Sequence, residues 1–132
     1  IHLFPGEKVD VLIHERMQKS SHYGYVLNFV ASYAAEELAA RMQQYVQTRL
    51  PEDLTTTFRY SPGYCDWHLR EQKKLFQLIP HSAIGVHLSD DCLMSPRKSV
   101  SGVFGICSSD VNVDKRNHCA QCPKTDCPHR RN

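Results

Sequence analysis

The sequence predicts an α+β domain, with two to three helices set on an antiparallel or mixed sheet. Three observations carry that expectation. A long alanine-rich stretch from Tyr25 to Thr48 has helical periodicity. A second helical pattern, Leu69 to Leu78, follows a Ser-Pro-Gly turn at once. Two runs rich in branched residues, Ala83 to Leu88 and Val100 to Ile106, alternate partially as strands do.

In chain order, the first twenty residues carry a weaker helical pattern through Val9, Leu12, Ile13 and Met17. In the long helix, Leu27, Val30, Ala34, Leu38, Met42 and Tyr45 recur at helical spacing. Glu36, Glu37, Arg41, Gln43 and Gln44 occupy the other face. Pro51 marks the end, because a residue preceding proline disfavours helix. Pro62 and Gly63 suit the central positions of a type II turn, where glycine supplies positive φ. Asp66 has the chemistry of an N-cap for the next helix, whose buried side chains are expected to be Leu75, Leu78 and Ile79, with Pro80 as the stop. Residues from 108 onward are polar and rich in Cys and Pro, so the chain divides into a domain over 1–107 and a tail over 108–132.

Composition bounds the function classes. The chain has 132 residues, enough for one domain, and with 41% hydrophobic and 23% charged residues it is too apolar for a disordered chain. Net charge is +2, which does not require a nucleic-acid partner. No run approaches the ~18 apolar residues that a membrane helix needs. The expected location is cytoplasmic, with no membrane and no nucleic acid as partner. The first residue is Ile rather than Met, so the expectation is a piece of a longer protein or a chain that has lost its start.

The richest segment is Phe58-Arg59-Tyr60-Ser61-Pro62-Gly63-Tyr64. The turn can hold the Arg59 guanidinium and the Tyr64 ring near one ligand. Arginine forks a carboxylate, and tyrosine offers a flat face and a hydroxyl, a combination suited to a zwitterion with a planar or sulfonium group. Residue chemistry alone also allows an ordinary surface turn, and Glu36 as an ordinary solvated position.

Two further segments share the chain with this one: Ala34-Ala35-Glu36-Glu37-Leu38-Ala39 upstream and Pro96-Arg97-Lys98-Ser99-Val100-Ser101-Gly102 downstream. In this order, over about residues 20–106, the three resemble the reactivation domain of cobalamin-dependent methionine synthase, and in particular small proteins carrying only that domain. The resemblance implies a fold like that activation domain. It implies S-adenosylmethionine as the bound methyl donor, and a cobalamin-binding methyltransferase protein as partner. A reductant protein would supply the electron for reductive methylation of cob(II)alamin. Carried across, the ligand-binding positions are Glu36, Asp53, Arg59, Tyr60, Gly63 and Tyr64. This chain departs from the large enzymes at Cys65-Asp66-Trp67, where they read P-A-C-P, and it lacks a counterpart of the family's first third.

Six cysteines are present, and the last four, Cys107, Cys119, Cys122 and Cys127, read C-x11-C-x2-C-x4-C. The Cys119–Cys122 spacing can present two thiolates to one metal from a tight turn, and His118 and His129 are spare donors. Zinc and a [4Fe-4S] cluster are both open. The Cys-Pro steps at Cys122 and Cys127 fit a cluster, and the 11-residue gap is short beside the ~15–20 of a zinc ribbon. Cys65 and Cys92 read as packing residues, and Trp67 as a core or rim aromatic. Two other functions remain in view: a metal-binding interaction module without S-adenosylmethionine, and a small nucleic-acid binder using basic residues around the tail cysteines.

Overall fold

The computed structural model describes residues 6–111 and Asp126. Two helices lead the chain: α1 (Gly6–Lys19) and α2 (Ser21–Gln47). Ser20 alone separates them, in an extended conformation (φ −159°, ψ 112°) that breaks the helical ladder. The helices meet where Gly24 faces Met17. A Cβ on Gly24 would fall 2.5 Å from Met17 Cγ and 2.7 Å from Met17 Cα, so only glycine allows this approach.

The buried stripe of α2 is Gly24, Ala31, Ala35 and Ala39. This corrects the sequence expectation, which put the larger residues inward. Val30, Met42 and Tyr45 are 55%, 46% and 53% exposed. Hydrophobic spacing gave the helix but not its inner face, because small residues are selected where backbones must come close. Helix α1 is likewise real, yet only Ile13 of its apolar residues is buried.

After α2 the chain runs into β1 (Leu54–Thr56), which pairs antiparallel with β4 (Ile106–Ser108), Thr55 opposite Cys107. The other edge of β1 is satisfied by side chains of α2. Gln47 Oε1 accepts the Thr56 N–H at 2.7 Å, and Gln43 Nε2 donates to the Thr57 carbonyl at 2.7 Å. These glutamines, assigned from sequence to the polar outer face or left unassigned, act as a substitute strand.

The β1–β4 pairing continues beyond its strands with a slip. Thr57 N–H bonds to Gly105 O, but Tyr60 and Val103 exchange both backbone bonds at 2.8 Å. Two residues, Phe58 and Arg59, therefore oppose one, Phe104, which is a β-bulge. The bulge changes which side chain faces α2. Strict alternation from buried Thr56 would turn Phe58 inward; instead Phe58 is 41% exposed and the Arg59 side chain only 20%.

The remaining elements are short. A 3₁₀ turn (Leu69–Glu71) leads into α3 (Gln72–Leu78), and a second (His81–Ile84) precedes the antiparallel pair β2 (His87–Leu88) and β3 (Met94–Ser95). Leu75 and Phe76 of α3 are buried, while Leu78 is 82% and Ile79 39% exposed, against expectation. Asp66 does not cap this helix; it accepts a bond from the Tyr60 hydroxyl, 3.0 Å away. The first expected strand run pairs only at its end, since it begins as a 3₁₀ turn, and the second pairs at Val103 and again from Gly105 onward, with the bulge between. Among the described residues the result is α+β, three helices with small antiparallel sheets. Among the described residues no helix is long and apolar enough to cross a membrane.

Candidate functional site

A cavity of about 730 Å³ lies where α1, α2, the Pro62 turn and the segment 92–101 meet. Its size is within the ~300–1,000 Å³ usual for small-molecule sites. Helix α1 lends Asp10, Ile13, His14 and Met17, and α2 lends Asn28 and Glu36. Ser61, Pro62, Tyr64 and Gln72 form the next wall, and residues 97–101 close it.

The turn has the geometry its sequence calls for. Tyr64 N–H bonds to Ser61 O at 3.2 Å and Gly63 has φ +95°. Gly63 N–H reaches Trp67 O at 2.8 Å, and Trp67 N–H returns to Tyr64 O at 3.0 Å. The Trp67 ring stacks on Tyr60 at 5.5 Å with the planes only 2° apart. The Tyr60 hydroxyl is shared between Tyr64 O (3.1 Å) and Asp66 Oδ1. Burial, then the hydrogen bond to Asp66, raises the Tyr60 hydroxyl pKa well above its usual range. Tyr60 is thus a brace for the turn, and Tyr64, 56% exposed, is the aromatic residue left on the cavity wall. Cys65, expected as packing, is exposed on this turn with φ +50°; Cys92 is buried as expected.

Arg59 and Glu36 are brought together. Arg59 Nη2 donates to Glu36 Oε2 at 2.6 Å, with the two side chains 20% and 39% exposed. Glu36 lines the cavity; Arg59, one contact further out, does not. Asp53 is exposed at the foot of β1, its carbonyl holding Ser109 N–H at 2.7 Å, and it is not among the cavity residues.

Sequence reasoning missed a second cation. Lys98 is 9% exposed. Its ammonium donates to Asn28 Oδ1 at 2.7 Å and to Ser32 Oγ at 2.9 Å, and burial lowers its pKa. The available signal was the spacing of Asn28, Ser32 and Glu36 on α2, four residues apart each time. That spacing makes one polar stripe on a helix otherwise lined with alanine. Both cations dock on it.

Of the proposed metal ligands, Cys119, Cys122 and Cys127 lie outside the described residues. Cys107 sits half-buried on β4. Among the described residues, no group of three or more His, Cys, Asp or Glu is placed to hold a metal.

With this geometry in place, comparison with known families is decisive. Residues 10–111 match the family described as the activation domain of vitamin B12-dependent methionine synthase. The chain belongs to that family. Its three short motifs now fall on one architectural unit: the Glu36 helix, the Arg59–Tyr64 bulge and turn, and the Pro96–Gly102 segment of this activation domain surround one cavity. No curated protein matches the chain.

Proposed function

We propose that this activation domain binds S-adenosylmethionine in the cavity and presents it to cobalamin carried by a methyltransferase partner. The observation that carries the reading is that Glu36 and Tyr64 line one cavity, with Arg59 held behind Glu36, in a chain of this family. The donor set fits a zwitterionic sulfonium: an acid for the amine, a guanidinium for the carboxylate, and an aromatic face for the sulfonium side. Glu36 takes only Nη2 of Arg59, so the rest of the guanidinium fork can meet a carboxylate. Bound there, S-adenosylmethionine would supply the methyl group for cobalamin that the partner system has reduced by one electron. This chain's share is positioning, by proximity and orientation. Tyr60, Gly63 and the bulge set where Arg59 and Tyr64 stand, while Asp53 lies outside the cavity lining.

Calorimetry with S-adenosylmethionine is the test. One saturable site per chain, weakened in Arg59→Ala, is expected; no heat with the intact protein overturns the reading.

The cysteine tail carries a separate proposal: Cys107, Cys119, Cys122 and Cys127 bind one zinc or one [4Fe-4S] cluster, which would serve a redox role if iron–sulfur. Metal and labile-sulfide analysis of anaerobically purified protein distinguishes the two. Cys122→Ser should lose the metal, and Cys65→Ser and Cys92→Ser should keep it.

A further inference from the structure

We propose that Lys98 forms an oxyanion-binding subsite in the cavity, separate from Arg59. Lys98 is nine-tenths buried, yet its two hydrogen-bond partners, Asn28 Oδ1 and Ser32 Oγ, are neutral. An ammonium has three donors, and no carboxylate of the described residues lies within ion-pair distance of this one. Burying a cation without a contacting counter-charge is costly, and a desolvated charged group lining a cleft is a candidate for holding a ligand.

The surroundings favour an anion there. Arg97 adds a second positive charge on the same wall. Asp10, an acid on the same cavity, acts on Lys98 from a distance without pairing with it, and its Oδ2 accepts the Arg97 backbone N–H at 2.7 Å. His14 lines the same end and can donate. Glu36, the other acid on the cavity, is neutralised by Arg59.

Separation along α2 makes this a site of its own. Ser32 and Asn28 lie four and eight residues before Glu36, which is on the order of 6–12 Å of helix. The amine and carboxylate of one α-amino acid sit closer together than that. A molecule gripped at Glu36 and Arg59 therefore leaves Lys98 for another group, a phosphate or a carboxylate. S-adenosylmethionine carries no anionic group at its other end, so that group belongs to a second small molecule.

The alternative is that Lys98 only ties the 96–101 segment to α2. Inorganic phosphate and acetate separate the two. Wild-type protein, titrated against chloride at matched ionic strength, should show a saturable rise in Tm with phosphate or acetate. Two-dimensional NMR should show the Asn28 side-chain amide shifting over the same range. Lys98→Met should fold with unchanged or higher Tm, because an apolar isostere removes the buried charge, and should weaken anion binding at least roughly tenfold. Asn28→Asp keeps Lys98 but gives it a built-in carboxylate. It should raise Tm without added anion and abolish the response. Repeating the phosphate titration with saturating S-adenosylmethionine identifies the source. Independent binding means a separate oxyanion; competition means that Lys98 takes the carboxylate of that molecule in place of Arg59, which overturns the separate subsite. The phosphate arm stands whether or not S-adenosylmethionine binds. A wild-type protein that responds no more to phosphate and acetate than to chloride overturns the subsite. So does an equal response in Lys98→Met and Asn28→Asp.

Discussion

Arg59 and Lys98 stand on neighbouring segments and dock on the same stripe of α2, yet the helix treats them differently. Arg59 meets a carboxylate, Glu36, at 2.6 Å in a partly exposed setting. Lys98 meets an amide and a hydroxyl in a nearly dry one. The first arrangement is a one-to-one ion pair that leaves donors of the guanidinium to spare. The second has no carboxylate in contact, and Asp10 acts on it only from a distance. A paired cation holds its loop in place and gives up part of its reach for ligand. A buried cation with no acid in contact keeps more of its field for whatever enters the cavity.

The largest effect that would sharpen this contrast is on binding. Arg59→Ala should weaken S-adenosylmethionine by ~1.5–3 kcal/mol, and Arg59→Lys should recover little, since a point charge does not replace the fork. Calorimetric affinities equal to wild type in both variants would take Arg59 out of the site.

Next in size is the contact that couples the two segments. A Cβ on Gly102 would meet Ser61 Oγ at 2.7 Å, Tyr60 O at 3.0 Å and Arg59 Cγ at 3.2 Å. Gly102→Val should therefore push the Pro96–Gly102 segment off the turn and cost about 1–3 kcal/mol in denaturant unfolding. An unchanged midpoint would mean that the cations are positioned independently.

Gly63→Ala acts on the Arg59 side alone. With φ at +95° and Leu69 Cδ1 at 3.3 Å from the added Cβ, it should cost roughly 1–2 kcal/mol. Loss of ligand affinity with little change in Tm would mean that the turn yields without unfolding the domain.

The smallest effect is a pH dependence on the Lys98 side. Burial lowers the Lys98 pKa below its ordinary 10.5. In the window between the two values the unfolded chain binds the proton and the folded one has lost it, so the lysine's contribution to stability rises with pH there. Below that window the folded state carries the full penalty of a buried ammonium. The stability difference between Lys98→Met and wild type should therefore be largest near neutral pH and narrow towards 10.5. A difference that does not change with pH would mean that the ammonium is well solvated.

Much of the Arg59 side was legible in the sequence, and little of the Lys98 side. Ser61-Pro62-Gly63-Tyr64 carries its own conformational instructions, and the turn forms as those residues dictate. Arg59 and Tyr64 were singled out by their chemistry within seven residues of chain. The Glu36–Arg59 contact spans 23 positions and the Lys98 contacts 66 and 70. Nothing local to Pro96–Gly102 says that its lysine turns inward, since lysine is ordinarily a surface residue.

What the sequence determined by itself is what intrinsic backbone preference decides. The long helix runs from Ser21 to Gln47 ahead of Pro51, Gly63 takes positive φ, and three ordered motifs declare the activation-domain family. The tertiary structure alone decided which stripe of α2 is buried, that Arg59 rather than Phe58 faces it, and that Lys98 loses its water. The physical reason is the same in each case. Alanine turns inward because Gly24 and its neighbours let a second backbone approach. Arg59 turns inward because a bulge slips the β pairing by one residue. Lys98 is desolvated because a segment seventy residues from Asn28 closes over it. Each depends on where distant chain arrives in space, and local propensity carries no record of that.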